Sequence, residues 1–212
     1  MNFKILKLLC FVFLFVAFGC SQGQNLDPKT AQTMLTQSWS IPHHAVWEVE
    51  WSAVPLSAPL VVEIWRSGPR HRFEILEAPA ADLVGQVFVF NGDQGWQYNR
   101  FDPAASLTPD VTAFSPITDA FATIDQLLAM SPQTATLTAE YINSEPAQKI
   151  TLNFANGDSL ALWRQVETEL PIQIQFVTNG QKGVLKSRQI TTFENDSQLS
   201  LFSVGDWIEN VK

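Results

Sequence analysis

Hydrophobic and polar positions along this 212-residue chain follow three successive patterns, and each predicts a different element. Leu8 to Phe18 is an almost unbroken apolar run behind Lys4 and Lys7. From Asp27 the spacing becomes helical: Ala31, Met34 and Leu35 form a stripe, and Asp27-Pro28 supplies an N-cap and a first-turn proline, so a helix runs from there and ends by Pro42. The period then switches to two. Trp47, Val49 and Trp51 face one way while Glu48 and Glu50 face the other, which predicts a half-buried strand over 46–51. Further strands are predicted at 59–66 (Leu60, Val62, Ile64), 70–77 (Phe73, Ile75), 85–91 (Val87 to Phe90) and 95–99 (Trp96, Tyr98). Asn91-Gly92-Asp93-Gln94-Gly95 predicts the hairpin turn between the last two.

Pro103, Pro109 and Pro116 make 101–116 a loop. Ile117, Phe121, Ile124 and Leu128 then recur at helical spacing and predict a second helix ending near Met130. Strands resume at 137–143, 148–155, 159–167, 171–178 and 183–193, with turns at Asn156-Gly157-Asp158 and Asn179-Gly180-Gln181. A last apolar segment, Leu199 to Trp207, carries Leu201, Phe202 and Val204. About ten strands in consecutive hairpins, with no βαβ rhythm, predict a mainly β (α+β) fold with an antiparallel sheet.

The first 19 residues read as an address. A short positive region, an apolar run too short to span a bilayer, and a small residue before Cys20 have the order of a secretory signal peptide over 1–19. Val16-Ala17-Phe18-Gly19-Cys20 resembles the lipobox of bacterial lipoproteins, with Ala17 where Leu is usual. The resemblance implies cleavage before Cys20, a thioether-linked diacylglyceryl group on its sulfur and N-acylation by a chain such as palmitate. Residues 20–26 are then a lipidated tether and 27–212 the domain. Cys10 leaves with the leader, so no intramolecular disulfide is available and the domain rests on its core alone.

Charge and composition narrow the function. Without Lys4 and Lys7, 11 basic residues face 21 acidic ones, a net charge of −10. That argues against nucleic acid as a partner and against charge-driven binding to anionic lipid. Only 16% of residues are charged, yet there are seven Trp and fifteen Phe. An apolar surplus of this kind predicts a large core, a cavity or an exposed apolar face.

The order of elements resembles the LolA/LolB fold of outer-membrane lipoprotein carriers, shared with the sensor domain of RseB. The residues that carry the resemblance are the hairpin Phe90-Asn91-Gly92-Asp93-Gln94-Gly95-Trp96-Gln97-Tyr98, the proline-rich loop and helix after it, the run Leu170 to Phe176 with Gly180, the segment Ile190 to Asn195, and the closing Leu201 to Val204. The resemblance covers nearly all of 27–207. It implies an unclosed half-barrel with the N-terminal and central helices on its concave face, and acyl chains as ligand. Trp47, Val49, Trp51, Leu60, Val62, Ile64, Phe73 and Ile75 would line that face, with Phe121 and Ile124 on the covering helix. The same alternation belongs to an ordinary core far more often than to ligand contacts, and both readings stay open. The soluble carrier of the family has no anchor, whereas this chain has Cys20.

No G-x-S-x-G, H-E-x-x-H, C-x-x-C or phosphate-loop pattern occurs, so neither an enzyme nor a cofactor or metal site is expected. His43 and His44 are expected as an exposed pair ahead of a strand, with neighbours pointing to opposite faces. Glu48 and Glu50 share one solvated strand face. Two function classes follow: a monomeric, membrane-anchored module of the cell envelope that holds a lipid or acyl chain, on the outer face of the plasma membrane or on the outer membrane; or a sensory domain of RseB type with a solid core and a protein partner. A hydrolase on an unfamiliar scaffold has no motif to support it.

Overall fold

Alternation of period two over most of the chain needs a sheet with one buried face, and the chain builds one large sheet. The structure is a computed structural model that describes residues 23–53, 56–92, 94–103, 108–109, 116–193 and 199–202. Cys20, the leader, Asp93, Asp110, Asn195, Val204 and Trp207 lie outside the described residues, as does the side chain of Ile117.

The elements are β1 (Gln24–Leu26), α1 (Pro28–Ser40), β2 (His43–Trp51), β3 (Leu60–Ser67), β4 (Arg70–Glu77), β5 (Gln86–Asn91), β6 (Gly95–Asn99), β7 (Thr108–Pro109), α2 (Pro116–Ala129), β8 (Thr134–Ile142), β9 (Glu145–Asn153), β10 (Ser159–Gln165), β11 (Pro171–Thr178) and β12 (Gln181–Thr192). The strands form one sheet in the order β1-β8-β9-β10-β11-β12-β2-β3-β4-β5-β6-β7. Every pairing is antiparallel. β1 and β7 are the two edges, so the sheet stays unclosed. The β12–β2 pairing welds the late hairpin series to the early one, Gly183 facing Trp51 at one end and Thr192 facing His43 at the other. Two short edge strands bring the total among the described residues to twelve against the expected ten or so. The polar stretch expected as tether through residue 26 ends in β1, whose Gln24 to Leu26 pair with Leu137 to Ala135.

Local chemistry sets the boundaries. Asp27 caps α1 by accepting from the Thr30 amide at 2.8 Å, and this bond holds its carboxyl below the usual range. Asn179 and Gly180 both take positive φ (50° and 76°), the left-handed pair that matches a two-residue hairpin to strand twist. Asn143 and Ser144 do the same between β8 and β9 without a glycine. In β12 the register slips between Ser187 and Gln189. The bulged Arg188 there reaches Glu48 at 2.7 Å and Glu77 at 2.9 Å on the outer face.

The concave face carries the main core. Trp47, Val49, Leu60, Val62, Ile64, Phe73 and Ile75 of β2–β4 join Ile150, Leu152, Leu160, Leu162, Ile174, Phe176 and Leu185 of β9–β12 in one buried cluster. α1 adds Ala31, Leu35 and Trp39, and α2 adds Phe121, Ile124, Leu127 and Leu128. The helices are stitched together where Gln32 Nε2 donates to the carbonyls of Leu128 (2.6 Å) and Met130 (2.8 Å) at the end of α2. These carbonyls lack partners within their own helix, so the side chain acts as a cap in trans. The convex face holds two small clusters, around Val87, Val89 and Tyr98 and around Ala147, Trp163 and Ile172.

Candidate ligand-binding site

The sequence-predicted lining residues come together. Trp47, Val49, Leu60, Val62, Ile64, Phe73, Ile75, Phe121 and Ile124 belong to the one concave cluster, and Trp51 is partly buried against it. β2 supplies Trp47, Val49 and Trp51 because its period of two sends every odd residue inward; Glu50 on the other face is exposed. Phe121 is wedged between the sheet and α1: its ring lies 4.9 Å from that of Phe73 and 5.3 Å from that of Trp39. Strand and helix side chains therefore interdigitate under α2 at this point.

Towards one rim the face opens. A cleft of about 520 Å³ at that rim is lined by Val49, Trp51, Leu56 and Pro59 together with Glu50, Ser52, Ser57 and Lys182, so apolar and polar groups share it. Trp51 stands at its inner wall with its ring edge against Phe176, 5.9 Å between centroids. Phe176 in turn lies over Gly183, where a Cβ would come within 2.1 Å of the ring, so only glycine fits opposite this aromatic.

Polar groups are also buried on this face, and here the histidine expectation needs correction. His43 and His44 do point to opposite faces, but they lie inside β2 rather than ahead of it. His43 is fully buried, and Nδ1 is 2.7 Å from the Ile41 carbonyl. Burial pushes its pKa down to about 4. His44 is half-buried outside, stacked on Trp65 and 2.8 Å from Glu63. Arg66, missed in the sequence reading, is 7% exposed and lies 4.2 Å over the Trp39 ring. Its Nη2 donates to Asp125 Oδ1 at 3.0 Å, and the same oxygen accepts from Trp39 Nε1 at 2.7 Å. His71 is pushed down to about 4 as well, chiefly by burial and then by the Arg66 charge. Strand parity is the signal that would have found these residues: Arg66 continues Leu60, Val62 and Ile64, and His71 precedes Phe73 and Ile75. Among the described residues no group of three or more His, Cys, Asp or Glu side chains is placed to hold a metal ion.

A single curved antiparallel sheet, unclosed at β1 and β7 and with two helices on its concave side, is an open half-barrel. This is the LolA/LolB-like fold. The fold is shared with MucB, at 14% identity over 84% of this chain and 62% of MucB, with a TM-score of 0.51. An uncharacterized conserved protein from Thermus thermophilus matches over 81% of this chain and 91% of its own length, at 14% identity and a TM-score of 0.50. The LolA superfamily protein NE2245 from Nitrosomonas europaea is looser, at 11% identity over 84% of this chain and 98% of that one, TM-score 0.42. No family model matches the sequence, and no curated protein matches it.

Proposed function

We propose that this chain is a lipid-anchored envelope lipoprotein whose half-barrel holds an apolar ligand, a lipid or an acyl chain. The observation that carries the proposal is the continuity of the apolar face: the row Trp47, Val49, Trp51 runs from the covered core into the open cleft at the rim. A site apolar on its covered side, with apolar and polar groups mixed at its open end, suits an amphiphilic ligand. The anchor is assigned to Cys20 on the leader and the lipobox-like residues before it. Two or three acyl chains give stable attachment where one is marginal. The proposal extends to lipid or lipoprotein trafficking at the outer face of the plasma membrane or at the outer membrane, by a monomeric protein with no catalytic step.

The packing of Phe121 against Phe73 and Trp39 supports a second reading, a solid-core interaction domain. The two part on an apolar dye whose emission rises on burial. The carrier reading requires saturable uptake that Val49→Asp abolishes, since Val49 borders the cleft. Absence of uptake in the wild type would leave the interaction domain. For the anchor, Cys20→Ser has to release the protein from membranes or stall its processing.

A further inference from the structure

His43, Arg66 and His71 are direct cross-strand partners: His43 faces Arg66 across β2–β3, and Arg66 faces His71 across β3–β4. Cross-strand partners project their side chains on the same side of a sheet, about 4.5–5.5 Å apart at Cβ. Here that side is the concave one, because Arg66 reaches Trp39 of α1 and Asp125 of α2. The three side chains form a basic row in a mainly apolar interior, His43 and Arg66 buried and His71 half-buried.

The row is under-satisfied. Arg66 uses one nitrogen on Asp125, while its Nε and Nη1 are buried with no hydrogen-bond partner among the described residues. Nε2 of His43 and Nδ1 of His71 are buried without partners too. A buried charged donor left unpaired costs more than a typical hydrogen bond contributes. Arg66 stays protonated under ordinary conditions, so its free N–H groups call for an oxygen acceptor.

We propose that this row, at the end of β2 opposite the cleft, is an oxyanion subsite of the half-barrel and binds the carboxylate or phosphate of an amphiphile. This deepens the reading of an apolar ligand and rests on it. Arg66 donates to the anion through Nε and Nη1. The two histidines supply further donors once protonated. An anion arriving beside them favours their charged forms, so binding takes up protons and tightens on acidification. Among the described residues the charged and titratable groups around the row are Arg66 and His44 near His43, and Arg66 and Asp125 near His71, with Asp125 opposing the anion from α2. The chain's net negative charge does not attract anions from a distance. The selectivity is therefore local, set by one buried guanidinium and its two neighbours.

The test compares sodium palmitate, hexadecanol and inorganic phosphate by titration calorimetry on the purified full chain. Palmitate is expected to bind about tenfold or more tighter than hexadecanol, a difference of about 1.4 kcal/mol. Arg66→Met should erase that difference and leave hexadecanol binding in place. Asp125→Asn removes the competing carboxylate and should tighten palmitate, the opposite sign, which keeps the proposal exposed even if Arg66→Met fails to fold. Phosphate binding that also depends on Arg66 supports the anion subsite and removes the chain from its requirements. Equal affinity for palmitate and hexadecanol overturns the subsite, with water serving the free donors, and leaves the apolar ligand standing. Weaker palmitate binding in Asp125→Asn overturns it as well. Binding of none of the three overturns the subsite together with the ligand reading on which it rests.

Discussion

Phe121→Ala is the perturbation that separates a covered core from an emptied one. Phe121 is 3% exposed and its ring touches both Phe73 on the sheet and Trp39 on α1. Truncating a buried Phe costs about 3–5 kcal/mol when the surroundings cannot collapse. Two aromatic contacts are lost with it, each contributing about 0.5–1.5 kcal/mol beyond its area in favourable pairs. Part of that overlaps the first figure, so about 4 kcal/mol is the working value. For a domain of this size 1 kcal/mol moves Tm by about 2–4 °C, which makes the expected drop about 8–16 °C. Thermal unfolding followed by far-UV circular dichroism reads it, since the signal is β-dominated. A drop below about 3 °C, under about 1.5 kcal/mol on the same scale, would refute this packing and mean that the space beneath α2 is already partly empty. Ala122→Ser, one residue away and exposed, is the control and should be near neutral.

Other outcomes follow from the same interior. Gly183→Ala forces the Phe176 ring aside and should cost about 1–3 kcal/mol by overpacking, measured by urea unfolding; no change would mean the ring shifts freely. His43 and His71 have folded pKa values near 4, below the ordinary 6.5, so their contribution is intact above pH 6.5 and is lost as pH falls towards 4. Unfolding free energy should decline over that window, and less steeply in His43→Gln; a flat profile would contradict their burial. Reductant should leave Tm unchanged, because Cys10 and Cys20 are the only cysteines in the chain.

How far the sequence was legible can be seen strand by strand. Trp47, Val49 and Trp51 announced their inward face because one-residue alternation is a local property, and a single buried face fixes it. The Asn179-Gly180 turn was legible for the same reason, its positive φ values being written in the residues themselves. The helix over Phe121, Ile124 and Leu128 was visible from its stripe. What escaped depends on pairing across the chain. β1 and β7 are three and two residues long and exist only because β8 and β6 offer an edge. The Asn143-Ser144 turn has no glycine to mark it. His43 reads as exposed only while the strand is taken to begin at Val46, and pairing with β3 and β12 extends it back to His43. His43, Arg66 and His71 became a row only when β2, β3 and β4 were set in register.

An apolar ligand held by the half-barrel would be found by mass spectrometry of lipids extracted from the purified full chain. One amphiphile is expected in near-stoichiometric amount, acidic in its headgroup, and strongly reduced in Val49→Asp. Extracts free of lipid, from protein that also fails to take up an apolar dye, would contradict it.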